Sequence, residues 1–190
     1  MKNVNKKIIA IIPARGGSKG IPRKNLRPLI DKPLIYYSIK ACLNSSLIDE
    51  VLVTTEDEEI ALLASRFGAS VHFRPAELSN DMGTLDPVIL EALVSHEASQ
   101  NQLYCMVLTV QPTSPLLTSF DIDSAIQHFS NKENINSLIS VVDDRHLSWG
   151  RNDEGRPIAL YKDRLNRQLL PKEYKETGAM VLCTREQLMT

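Results

Sequence analysis

Short apolar runs alternate with longer segments of helical periodicity along most of this chain. Short runs of β-favouring residues are typical of buried strands, and apolar residues three or four positions apart are typical of amphipathic helices. These patterns predict strands at 8–12, 51–55, 70–74, 103–110, 137–142 and 180–183, and helices at 33–43, 56–67, 85–95 and 120–129. Strands that alternate with helices form a largely parallel sheet covered on both faces. The sequence therefore predicts an α/β fold of three layers, α/β/α, around a mostly parallel sheet.

The first predicted strand runs directly into a loop, residues 13–25, that is rich in glycine and positive charge. Its glycines are Gly16, Gly17 and Gly20, its cations are Arg15, Lys19, Arg23 and Lys24, and Ser18 adds a hydroxyl. Glycines let the main chain bend and approach a ligand closely, and exposed N–H groups can hold anionic oxygens. We interpret the loop as a polyphosphate site, although it matches neither the Walker pattern nor the dinucleotide fingerprint. The alternative is a glycine-rich surface turn with solvated charges.

Length and composition limit the possible functions. A chain of 190 residues suits a single domain, and a net charge of −1 gives no overall attraction for nucleic acid or an anionic membrane. No apolar stretch approaches the about 18 residues of a membrane span, and the apolar run behind the basic N-terminus is too short for a secretory signal. The three cysteines show no C-x-x-C spacing and are expected to be reduced. We therefore expect a cytoplasmic protein.

Polar side chains also follow other predicted strands. Gln111, Thr113 and Ser114 come after the strand at 103–110, beside Pro112 and Pro115, which fix the loop. Such groups suit a polar ligand, and an ST-turn that opens a helix is the alternative. The acidic run 56–59 could suggest a metal, but its place before a helix favours capping. The four histidines show no metal-ligand spacing.

Several of these segments resemble one enzyme family. The run Ala14-Arg15-Gly16-Gly17-Ser18-Lys19-Gly20-Ile21-Pro22-Arg23-Lys24-Asn25 is similar to the opening signature of the acylneuraminate cytidylyltransferases, or CMP-sialic acid synthetases. Related CMP-Kdo synthetases typically lack the Gly-Gly-Ser-Lys-Gly run and the Lys-Asn pair. Further resemblances lie at 73–81, 108–116, 145–149, 166–171 and 176–179. Leu117 stands where the family often has Arg, and Thr177 where it has Asn.

The resemblance implies a fold of the nucleotide-diphospho-sugar transferase type in one domain, 1–190. It also implies that 143–176 is a small protruding subdomain that packs on a second subunit, whereas a plain surface excursion is the alternative. A homodimer, CTP, an acidic sugar and Mg²⁺ follow from it as expected partners and cofactor. The resemblance implies that Arg15 and Lys24 are catalytic. The nucleotide-binding residues that it implies are Ala14, Arg15, Gly16, Gly17, Ser18, Lys24, Asn25, Arg74, Gln111, Thr113 and Ser114. The sugar-binding residues that it implies are Gln111, Arg145, Arg167 and Gln168.

The family's metal ligands are not identified in this sequence. The family normally continues with an Asp-x-Asp pair that binds the divalent ion, whereas Asp121 and Asp123 stand at a predicted helix start, where capping explains them. Thr184 and Gln187 resemble a capping box, yet the sequence ends at Thr190, so we expect a truncated chain.

The expected function is transfer from CTP to a nine-carbon acidic sugar of the sialic, legionaminic or pseudaminic type, giving CMP-sugar and pyrophosphate. The alternatives are another nucleotidyltransferase of the same fold, such as a CMP-Kdo synthetase, or a catalytically incomplete nucleotide-binding fragment.

Overall fold

A computed structural model of the chain describes residues 7–18, 20–75 and 84–190. Lys19 and most of the predicted loop at 73–81 lie outside these residues. The strands are β1 Ile8–Pro13, β2 Pro28–Leu29, β3 Lys32–Pro33, β4 Glu50–Thr55, β5 Ser70–Phe73, β6 Met106–Val110, β7 Ser137–Asp143, β8 Trp149–Arg151, β9 Pro157–Ala159 and β10 Tyr174–Thr184. The helices are α1 Leu34–Leu43, α2 Glu58–Phe67, α3 Leu85–Gln100, α4 Ser119–Ser130 and α5 Arg185–Leu188.

The main sheet has six strands in the order β5-β4-β1-β6-β10-β7. β1 pairs in parallel with β4 on one side and with β6 on the other, and β4 pairs in parallel with β5. β10 runs antiparallel to β6. The prediction of a mostly parallel sheet is therefore confirmed.

The alternation of side chains along β1 explains the three layers. Ile8, Ala10 and Ile12 contribute to an apolar cluster with α1, α2 and α4, whereas Ile9 and Ile11 contribute to a second cluster with α3. All five side chains are nearly or completely buried, because a strand covered on both faces has no solvated side. This confirms the α/β/α arrangement, with β1 at its centre.

Two elements extend beyond their predicted ends. α3 continues to Gln100, where its buried Glu97 accepts hydrogen bonds from Arg185 Nε at 2.9 Å and Nη2 at 2.9 Å. β10 begins at Tyr174, and its first half is exposed and polar. Both extensions lack the apolar periodicity on which the predictions depended, and contacts distant in sequence hold them instead.

The chain divides into two compact units, Met1–Ile139 with Gly178–Thr190, and Ser140–Thr177. The second unit includes the charge-rich segment 143–176. Within it β8 and β9 form an antiparallel hairpin, and the rings of Trp149 and Tyr161 meet edge to face with centroids 5.9 Å apart. The proposed role of this segment in dimerisation stays a prediction.

The hairpin of β2 and β3 contains a strained residue. Leu29 pairs with Lys32, so Ile30 and Asp31 form the turn, and Ile30 has a φ of 60° with 92% of its surface exposed. A β-branched residue is disfavoured in this left-handed region, which Asn adopts far more readily.

We therefore expect Ile30→Asn to raise the free energy of unfolding by about 1 kcal/mol. Urea unfolding of the variant and of Asp31→Asn, a matched change at the neighbouring turn position, measures the effect. Asp31→Asn should be nearly neutral. Equal stability of Ile30→Asn and the unmodified protein would contradict the strain at this turn.

Candidate active site

Four neighbouring parallel strands direct their carboxyl ends to one edge of the sheet. β1 ends at Pro13, β4 at Thr55, β5 at Phe73 and β6 at Val110. The chain leaves β1 for β4 on one side and returns later to β6 on the other, which is the topology that opens a crevice for ligands. The segments that begin at residues 14, 56, 74 and 111 therefore form the candidate site.

Internal hydrogen bonds hold the loop after β1. The Ala14 N–H donates to the Thr54 carbonyl at 3.0 Å, and Ala14 is completely buried. Asn25 is also buried, and its Nδ2 donates to the Arg15 carbonyl at 3.0 Å. The Asn25 Oδ1 has no hydrogen-bond partner among the described residues. Ala14 and Asn25, both predicted to seat the nucleotide, therefore shape the loop from within.

Gly16 lies against the start of α2. Its N–H donates to Glu56 Oε1 at 2.7 Å, and a Cβ added to Gly16 would lie 2.2 Å from Asp57 Oδ2. Neither Gly17 nor Gly20 has an atom within 4 Å of such a Cβ. Gly16 is therefore required by close approach within the protein, and the close approach of a ligand to Gly17 and Gly20 stays a prediction. The Gly16 N–H is bonded to a carboxylate in this structure.

The residues of the acidic run 56–59 have different roles. Asp57 caps α2, because its Oδ1 accepts from the N–H groups of Glu59 at 3.0 Å and Ile60 at 3.1 Å. The capping interpretation is wrong for Glu56, whose Oε2 accepts from Arg74 Nη2 at 2.9 Å. Arg23 donates to Asp57 Oδ1 at 3.2 Å and to Glu59 Oε2 at 2.8 Å, which fixes the loop to α2 a second time.

Arg74 is a buried cation behind the loop. Its side chain is only 5% exposed, and its Nε has no hydrogen-bond partner among the described residues. Burial lowers the pKa of Arg74, and the Glu56 carboxylate acts in the opposite direction. The positive charge of Arg15 also lowers this pKa, so the two guanidinium groups lie within electrostatic reach of each other. The nucleotide contact predicted for Arg74 is not tested by this geometry.

Three predicted phosphate ligands are partly accessible. Arg15, Ser18 and Lys24 are all half-buried, and Lys24 opens a short 3-10 turn that includes Asn25. Within the described ranges no acidic side chain forms an ion pair with Lys24. A cation with this setting can neutralise an anionic ligand. The phosphate contacts of Arg15, Ser18 and Lys24 stay predictions.

The loop after β6 is a tight turn against β10. The Gln111 N–H donates to the Ala179 carbonyl at 3.1 Å, and the Ser114 N–H donates to the Gln111 carbonyl at 3.2 Å. Gly178 has a φ of 68°, and a Cβ there would lie 3.6 Å from Gln111 Nε2. Thr113 is exposed and Ser114 half-buried, whereas Thr118 caps α4. The alternative that Thr113 and Ser114 open this helix is therefore wrong.

The sugar-binding residues predicted in the second unit make contacts within that unit. Arg145 donates to Asp143 in a fork, from Nε to Oδ1 at 2.8 Å and from Nη2 to Oδ2 at 2.6 Å. These hydrogen bonds hold the pKa of Asp143 below its usual value. Arg167 donates weakly to the Asp143 carbonyl at 3.4 Å, and Gln168 is exposed. Their sugar contacts stay predictions.

The described residues contain no group of three or more His, Cys, Asp or Glu side chains that could hold a metal ion. Asp121 forms a capping box with Thr118, as predicted. Asp123 does not cap: its Oδ2 accepts from Ser46 Oγ at 2.8 Å and Ser46 N at 3.1 Å, and its Oδ1 accepts from Ser45 Oγ. Asp123 therefore joins α4 to the loop after α1.

Comparison with known proteins identifies the family of this chain. A sequence model of the family described as Cytidylyltransferase matches residues 9–158. The chain belongs to the cytidylyltransferase family. The match includes the loop after β1 and the turn at Gln111, so the resemblance noted from the sequence is confirmed at the level of the family.

Several curated proteins are similar to this cytidylyltransferase chain. A pseudaminic acid cytidylyltransferase of Campylobacter jejuni is 44% identical over 65% of this chain and 53% of its own length. An N-acylneuraminate cytidylyltransferase of Escherichia coli is 40% identical over 71% of this chain and 31% of its own length. The post-translational flagellin modification protein B of Campylobacter coli is 32% identical over 96% of this chain and 79% of its own length. The chain thus spans about a third to a half of the length of the first two relatives.

Solved structures confirm the fold. A CMP:2-keto-3-deoxy-manno-octonic acid synthetase complexed with CTP superposes with a TM-score of 0.71 at 19% identity, over 97% of this chain and 76% of that one. A 4-diphosphocytidyl-2C-methyl-D-erythritol synthase gives a TM-score of 0.66 at 14% identity, over 93% and 74%. At these identities the likeness concerns the fold alone.

Among the described residues, no helix has the length and apolar character needed to cross a membrane.

The two adjacent glycines of the loop provide a matched test. Gly16→Ala places a methyl group against the Asp57 carboxylate that caps α2, so we expect a loss of about 2 kcal/mol in the free energy of unfolding. Gly17→Ala meets open space and should change stability by less than about 0.5 kcal/mol. Urea unfolding measures both, and equal effects of the two substitutions would contradict the close approach at Gly16.

Proposed function

We propose that this chain carries the nucleotide site of an enzyme that transfers CMP from CTP to a nine-carbon acidic sugar, with release of pyrophosphate. The observation that most strongly supports this proposal is the loop after β1, in which Arg15, Ser18 and Lys24 lie at the carboxyl edge of a parallel sheet. The relatives named as pseudaminic acid and N-acylneuraminate cytidylyltransferases support this substrate class.

In the proposed reaction the anomeric hydroxyl oxygen of the sugar attacks the α-phosphorus of CTP. The bond from that phosphorus to the bridging oxygen of the β-phosphate breaks, and pyrophosphate leaves with the electron pair. Catalysis of such a transfer depends on positioning and on neutralising charge over the phosphate oxygens. Arg15 and Lys24 would supply positive charge, and the Ser18 hydroxyl would donate a hydrogen bond to a phosphate oxygen.

Other residues of the proposal orient the two substrates. Ala14, Gly16, Gly17, Asn25 and Arg74 would shape the nucleotide site, and Gln111, Thr113 and Ser114 would line the junction with the sugar. The side-chain amide of Gln111 can donate and accept hydrogen bonds at once, which suits a junction between two polar ligands. In a homodimer, Arg145, Arg167 and Gln168 would approach the sugar carboxylate.

We include Mg²⁺ in the proposal because the chemistry of the reaction calls for it. When bound, Mg²⁺ neutralises a triphosphate and stabilises the leaving pyrophosphate. The described residues do not by themselves fit such an ion, since they offer no cluster of carboxylates. The steps proposed for this chain therefore involve its own cations and hydrogen-bond donors.

A cytoplasmic location is also proposed. Cys42 and Cys183 form no disulfide among the described residues, and burial raises the pKa of the Cys42 thiol to about 12. Buried, protonated thiols of this kind fit a reducing compartment.

Pyrophosphate release measured with CTP and magnesium tests the reaction directly. We expect turnover with at least one of the sialic, legionaminic or pseudaminic acids, and a clear preference for CTP over UTP, GTP and ATP. Preference for another nucleotide, or for Kdo over every nine-carbon acid, would contradict the proposal. CTP binding without turnover on any sugar would indicate a nucleotide-binding chain that is catalytically incomplete.

The role of Lys24 is tested by its removal. Lys24→Ala should lower kcat/KM for CTP about a hundredfold, since a positive charge at the phosphates is lost. The far-ultraviolet circular dichroism should not change. Lys132→Ala, which removes an exposed cation from the loop after α4, is the control and should keep full activity. Equal turnover of the two variants would exclude Lys24 from the site.

A further inference from the structure

One carboxylate, that of Glu56, bridges two groups that belong to different segments of the site. Its Oε1 accepts from the Gly16 N–H at 2.7 Å, and its Oε2 accepts from Arg74 Nη2 at 2.9 Å. Gly16 lies in the loop after β1, whereas Arg74 directly follows β5. The two oxygens are therefore used separately, each for a donor from a different part of the chain.

The order of strands explains why this residue can reach both segments. β4 lies between β1 and β5 in the sheet and runs parallel to both. Glu56 is the first residue after β4, so it stands between the ends of the two neighbouring strands. Its side chain needs no long reach to contact the Gly16 backbone on one side and Arg74 on the other.

The contact between Glu56 and Arg74 is important because the Arg74 side chain is buried. The Arg74 side chain is 5% exposed and that of Glu56 is 25% exposed. A buried guanidinium without a counter-charge is strongly unfavourable, and removal of one partner from such a pair costs more than the pair itself contributes. The positive charge of Arg15 lowers the pKa of Arg74 further, and the negative charge of Glu91 raises it less than that of Glu56 does. Glu56 is thus the main counter-charge that keeps Arg74 in place behind the phosphate-binding loop.

We propose that Glu56 is a positioning residue for CTP: it fixes the Gly16 backbone and Arg74 so that Arg15, Ser18 and Lys24 face the triphosphate. This inference rests on the proposed function for its ligand. In the competing hypothesis, Glu56 hinders CTP binding, because its carboxylate already accepts the Gly16 N–H that a phosphate oxygen would otherwise accept. The two hypotheses predict opposite effects on CTP affinity when the negative charge of Glu56 is removed.

The test compares Glu56→Gln with Glu58→Gln by calorimetric titration with CTP. Both substitutions remove one negative charge near the N-terminus of α2, but Glu58 is exposed and forms no ion pair among the described residues. Glu56→Gln should weaken CTP binding about tenfold, because a charge-assisted hydrogen bond is lost. Glu58→Gln should leave binding unchanged or slightly tighter. Unchanged or tighter binding in Glu56→Gln would overturn the proposal.

A spectroscopic readout separates positioning from simple loss of stability. The Gly16 amide proton is bonded to a carboxylate, so its nuclear magnetic resonance should lie downfield and move upfield in Glu56→Gln, but not in Glu58→Gln. An unmoved Gly16 resonance would overturn the proposal even if stability fell. If the unmodified protein does not bind CTP, the proposed function fails, and the Gly16 resonance still decides whether Glu56 holds the loop.

A second pair of variants applies if Glu56→Gln does not fold. Arg74→Met removes the buried charge, and the double variant Arg74→Met with Glu56→Ala removes both partners without leaving one unpaired. Faster hydrogen exchange of the Gly16 amide in the double variant than in Arg74→Met alone is expected. Equal exchange rates would overturn the proposal.

Discussion

The contact between Gly16 and the carboxyl end of β4 determines the shape of the candidate site. Glu56 accepts the Gly16 N–H, and the Asp57 carboxylate occupies the space that any side chain at Gly16 would need. Asp57 also caps α2 and pairs with Arg23, so the loop after β1 and the start of α2 are joined at two points. The partly exposed cations of the loop extend from this fixed backbone. The proposed phosphate site would depend on this preorganised positive charge, which stabilises an anion more than the same charge on a mobile chain does.

Features that depend on local sequence were predictable. The buried strand β1 follows from a short apolar run, and the caps at Asp57 and Thr118 follow from residue types placed before apolar helices. Glu56 was not predictable, because its partners Gly16 and Arg74 lie far from it in sequence and meet only when β4 takes its place between β1 and β5. The only signal was an acidic residue directly after a strand, and capping explains most residues of that kind. The capping role predicted for Asp123 is wrong for the same reason, since its partners Ser45 and Ser46 follow a different helix.

The second unit shows where prediction from sequence is weakest. Ser140–Thr177 has many exposed polar residues and few periodic apolar ones, so its short strands β8 and β9 gave no pattern. The Arg145 guanidinium, predicted to face a sugar carboxylate, forms its fork with the Asp143 carboxylate of the same unit. An intramolecular fork of this kind gave no signal in the sequence beyond the closeness of the two residues, and the sugar contact of Arg145 stays a prediction.

Our central proposal is that CTP binds at the carboxyl edge of β1 and β6. A titration of the isotopically labelled chain with CTP, followed by backbone amide resonances, tests that claim most directly. Saturable shifts at residues 14–18, 24–25, 111, 113 and 114, larger with CTP than with UTP, are the predicted result. Saturable shifts confined to another part of the chain, or none at millimolar CTP, would contradict it.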